Sequence, residues 1–151
     1  MEAEEGLRAR SKGIRAEPGA ARFALLIVLL HATVVALHAA AHRILNIEAS
    51  PSQTLFIVIF IMAAPLLAGA LIWTGARAAG AALLALSMAG ALLFGLYNHF
   101  ILVSPDHVLH ISGDSRAWVM MFQLTAVLLA LSEGMGVVAG LLTLKRGRAV
   151  L

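Results

Sequence analysis

The sequence predicts an all-α integral membrane protein, a four-helix bundle of up-down-up-down topology with a short interfacial helix between its third and fourth spans. Three observations predict it. Hydrophobic residues make up 61% of the chain and charged residues only 13%, with a mean hydropathy of +0.93, where soluble domains carry roughly 45–50% and about 25%. The apolar residues fall into four runs, each long enough to cross a hydrocarbon core of about 30 Å. The basic residues gather beside those runs, where a lipid bilayer is the natural partner, so the high isoelectric point marks topology and not nucleic-acid binding.

Residues 1–21 read as a flexible cytoplasmic leader of mixed charge, broken by Pro18-Gly19. Residues 22–148 form the transmembrane domain. The first span, 22–45, is uncharged from Phe23 to Ala41, longer than a signal-peptide core, so it is expected to be retained. Ser50-Pro51-Ser52-Gln53 opens the second span, 51–74, with serine as N-cap, proline in the first turn and Gln53 closing a capping box. Pro65 breaks the hydrogen bonding of that helix near its middle and frees a carbonyl. Thr74-Gly75 ends it, and the short turn at Arg77 makes the third span, 78–103, its antiparallel neighbour. Ser104-Pro105-Asp106 is a second start signal, predicting the interfacial helix over His107 to Ile111. After Ser112-Gly113-Asp114-Ser115 the fourth span covers 116–144.

Of the 11 Lys and Arg, nine (Arg8, Arg10, Lys12, Arg15, Arg22, Arg77, Lys145, Arg146 and Arg148) share one side of the bilayer in this topology, leaving Arg43 and Arg116 opposite. The positive-inside rule therefore puts both termini in the cytoplasm, as for a multi-pass protein of a bacterial cytoplasmic membrane. Small residues at Ser132, Gly136 and Gly140 make a row suited to close helix approach, either within the bundle or to a membrane protein partner or second copy.

The absence of cysteine excludes disulfides, thiolate metal sites, iron–sulfur clusters and thiol chemistry. Histidine is the residue that carries chemistry here. All six histidines lie between the midplane and the outer surface, and His31, His38 and His42 fall within about 40° of one direction on the first helix. Measured from the inner boundary, His38, His42 and His99 stand at similar heights, about 24, 30 and 33 Å. His38 and His42 have the i, i+4 spacing of metal-binding helices, and His107 and His110 are spaced i, i+3 beyond them. The five form a candidate site for a transition metal (Zn, Cu or Fe) or for haem b, with Asp106, Asn98 and Glu48 as supporting polar groups.

Glu133 is the one acid inside a span, at nearly the height of His31, which predicts a polar pair. Three functions are consistent with these residues: a metal or haem site at the outer end of the bundle for redox chemistry or metal handling; a non-catalytic subunit or assembly factor; and a proton or ion pathway through Glu133 and His31. Catalytic residues are not identifiable, since no nucleophile turn or phosphate loop is present.

Overall fold

The structure, a computed structural model, describes residues 18–148 and is entirely helical apart from turns and loops. Four of its elements are long and apolar enough to cross a membrane. These are α1 (Pro18–Ile44), α2 (Pro51–Trp73), α3 (Arg77–Ile101) and α4 (Arg116–Arg148). At most 39% of the residues in the most apolar stretch of each are buried, which leaves an apolar exterior suited to hydrocarbon, as in a multi-pass membrane protein. The leader expected over 1–21 lies outside the described residues as far as position 17, and Pro18-Gly19 is helical. Proline fits the first turn of a helix, where its missing N–H costs nothing.

The boundaries of α1 and α2 follow from local chemistry. At the end of α1 Asn46 takes a left-handed conformation (φ 53°), and the Ile47 N–H returns to the His42 carbonyl at 3.0 Å, a Schellman closure. Ser50 and Gln53 form the expected capping box. Pro65 has its effect upstream, because residues 57–63 widen into π-helical turns. A proline at 65 cannot donate to the carbonyl of Ile61 and would collide with it in an α-helix, so a wider turn relieves the crowding.

The expected interfacial helix is replaced by turns. The His107 N–H bonds to the Ser104 carbonyl, and the His110 and Ile111 N–H groups both bond to the His107 carbonyl. This segment folds back on α3, where the Val108 N–H reaches the His99 carbonyl at 2.9 Å and the Gln123 amide takes the Val108 carbonyl at 2.8 Å. Backbone groups spent on neighbouring spans are not free to build a separate helix.

The bundle has two unlike halves. At the end that carries the α2–α3 turn, Ala24, Ile27, Val28, Ala68, Ile72, Leu84, Met88 and Ala139 make a close-packed core. A Cβ on Gly80 would lie 2.7 Å from the Ala68 carbonyl, and one on Gly140 would lie 2.8 Å from the Ala81 carbonyl, so only glycine lets these backbones meet. Gly136 likewise seats the Met88 side chain, and Ser132 bonds to the Leu129 carbonyl and approaches His31. The small-residue row of α4 thus packs inside the chain against α3 and α1. At the opposite end the helices diverge around a cavity.

Candidate metal centre

The centre is assembled from the last two turns of α1, the last turn of α3, the first three turns of α4 and the loop after α3. His38 is held by Thr125 of α4, with Nδ1 2.9 Å from Oγ1. That hydroxyl donates its own proton to the Met121 carbonyl at 2.6 Å, so His38 Nδ1–H is the donor to Thr125 and Nε2 keeps its lone pair. His42, one turn on, places its Nε2 3.1 Å from His38 Nε2. His99 belongs to a π-helical turn (Tyr97–Ile101) that ends α3. Its Nδ1–H donates to the Asp106 backbone carbonyl at 3.1 Å, which leaves its Nε2 as a lone pair. One ring nitrogen from each of His38, His42 and His99 lies within 4.8 Å of the other two.

The Asp106 carboxylate completes the group. Its Oδ1 is 3.1 Å from His42 Nε2 and 3.3 Å from His99 Nδ1, yet it is buried and neither contact has hydrogen-bond geometry. Burial alone would push this carboxyl up, but the contacts from His42 and His99 outweigh it and hold it at about 2, so the group is ionised. The fully buried ring of Phe122 packs against all three imidazoles, with centroid separations of 4.9, 5.2 and 5.6 Å. Neither Phe122 nor Thr125 was singled out from the sequence. Both lie on the buried stripe of α4 that continues through Leu129, Ser132 and Glu133, so a search for the helical period in α4 would have reached them.

Of the five histidines expected at the site, the structure brings His38, His42 and His99 together. His107 donates from Nε2 to the Phe100 carbonyl at 3.3 Å and accepts the Leu109 N–H on Nδ1 at 3.1 Å, which occupies both ring nitrogens. His110 is exposed and stacks on His107 at 4.8 Å between ring centroids, away from the cluster. Of the supporting residues, Asp106 touches two of the three histidines. Asn98 accepts from Gln53 at 3.0 Å, fastening α2 to α3, while Glu48 is exposed on the cavity rim.

His31 and Glu133, expected as a polar pair, are not hydrogen-bonded to each other. His31 Nε2–H donates to the Ile61 carbonyl at 3.0 Å, the carbonyl orphaned by Pro65, and Ser132 Oγ lies 3.5 Å from its other nitrogen. Glu133 turns instead into a cavity of about 750 Å³ that also receives His38, His42, His99 and Asp106. Comparison with protein families, with curated proteins and with solved structures finds no match to this chain.

Proposed function

We propose that this membrane protein holds one transition-metal ion through His38, His42 and His99, with Asp106 as the adjoining carboxylate, at the outer end of an up-down-up-down bundle whose termini are cytoplasmic. The observation that carries the reading is the convergence of three ring nitrogens within 4.8 Å beside a buried carboxylate oxygen that no hydrogen bond satisfies. Ligands about 2.0–2.1 Å from a tetrahedral metal lie about 3.3 Å from one another. The His38–His42 separation of 3.1 Å and the His42–Asp106 separation of 3.1 Å are already close to that edge. A cation would take the place of the proton shared between His38 and His42, and its charge would answer the single negative charge of Asp106.

Three imidazoles and a carboxylate suit Zn²⁺, Fe²⁺ or Cu²⁺. Haem fits less well. Axial ligands approach a haem iron from opposite faces, whereas these rings meet edge to face at 4.7 and 4.8 Å with no slot for a macrocycle between them. The orientation rests on charge: the termini and the α2–α3 turn carry nine of the 11 basic residues, which supports an outside position for the histidine end. A transmembrane proton path through Glu133 is disfavoured by the close-packed core below it and by the commitment of His31 to Ile61.

Elemental analysis of the purified chain after exposure to Zn²⁺, Fe²⁺ or Cu²⁺ and removal of excess ion tests this reading. One ion per chain is expected, lost in His38→Ala and in His99→Ala and retained in His107→Ala. Retention by the first two variants, or no bound ion in the native chain, overturns it.

A further inference from the structure

A second feature of the same end of the bundle is unexplained by a metal alone. Among the buried polar side chains, His31, His38, Ser87, Asn98, His99, His107, Thr125, Ser132 and Thr143 each have a hydrogen-bond partner within the protein. Glu133 does not. It is 2% exposed, and its Oε2 is buried with no partner. An unmade bond at a buried polar atom costs about 1–3 kcal/mol, which calls for a group that completes it.

The cavity supplies the place for that group. All four helices line it, and its volume of about 750 Å³ falls in the range of roughly 300–1,000 Å³ typical of small-molecule sites. Val35, Ile57, Ile61, Phe94 and Leu129 make its apolar wall. Its polar groups gather at two places. Near the loops are the histidines, Asp106 and the Gln53–Asn98 pair; deeper in the bundle Glu133 stands two turns beyond Thr125, about 12 Å along α4. Facing Glu133, position 95 is glycine, where a Cβ would stand 3.6 Å from Oε2, so the flank of the carboxyl stays open.

We infer that the cavity binds an uncharged, membrane-soluble molecule bearing a carbonyl group, a ketone or quinone with an apolar tail, and that the Glu133 carboxyl is its polar anchor. An uncompensated charge in such surroundings costs several kcal/mol, so the complementary ligand is one that meets a carboxylic acid: the acid O–H donates to a carbonyl oxygen while the tail lies along the apolar wall. This goes beyond the metal reading and does not require it, because Glu133 is not among the residues whose ligand atoms converge, although its carboxyl flanks the same glycine, Gly95, as the His99 ring.

The probe is a para-benzoquinone with an alkyl tail, titrated into the full chain in nanodiscs, with an alkylamine of the same tail in parallel. Saturable quinone binding is expected, weakened about tenfold or more by Glu133→Leu and abolished by Ala130→Trp, which fills the cavity. Metal content should be unchanged in Glu133→Leu, which removes no proposed ligand, so failure here and failure of the metal reading give different results. Infrared difference spectra of the native chain provide a readout that needs no variant: the carboxylic-acid C=O band should shift on quinone binding. Quinone affinity unaffected by both substitutions, an unshifted acid band in the native chain, or tighter Glu133-dependent binding of the alkylamine overturns the inference.

Discussion

The two halves of this bundle are built from the same apolar alphabet and solve opposite problems. In the half with the α2–α3 turn, glycines and alanines bring backbones into contact and exclude any space, with Gly80 against Ala68 and Gly140 against Ala81 and Ala85. In the half with the loops, π-helical turns at 57–63 and 97–101 lie beside a cavity that Ile57, Ile61, Asn98 and His99 of those turns help to line. The second half tolerates space because that space is where the polar groups meet.

The largest expected effect comes from breaking the tight half. Gly80→Val would drive a branched side chain into the Ala68 carbonyl and Ile72, and should destabilise the fold by about 3 kcal/mol or more in a denaturant titration. Gly95→Ala, in the open half, meets its nearest neighbour at 3.6 Å and should change stability by less than about 1 kcal/mol. Equal costs at the two positions would erase the distinction between the halves.

Within the open half, the expected effects on metal binding fall in the order of contact. Thr125→Val removes the acceptor that fixes the His38 tautomer and should weaken affinity by about 10–100-fold, as measured by competition with a chelator. Asp106→Asn retains the backbone carbonyl that holds His99 and replaces the carboxylate proposed to ligate the ion with a neutral amide, so a loss at least as large is expected in the same assay. His110→Ala should leave affinity unchanged, and a loss comparable to that of Thr125→Val would return His110 to the site.

The distribution of these effects also marks what was readable in the chain. Ser50-Pro51-Ser52-Gln53 specified the start of α2 because a capping box is a local arrangement. The i, i+4 spacing of His38 and His42 and the matching height of His99 located the cluster, because helical rise and rotation are fixed by the backbone. The fates of His107 and His31 depended on non-local partners. His107 is committed by a loop that folds back on α3, and His31 by a carbonyl that Pro65 releases on a different helix. The freed carbonyl was legible at Pro65, but the imidazole that would claim it was not, since the rotation of α1 about its axis is set by the packing of all four helices. The two π-helical turns that help to line the cavity also leave no signature in hydropathy.

X-ray absorption at the metal edge of the zinc-loaded chain tests the central claim most directly. The account predicts three imidazole nitrogens and one oxygen at about 2.0–2.1 Å. A first shell with fewer than three imidazoles would contradict it.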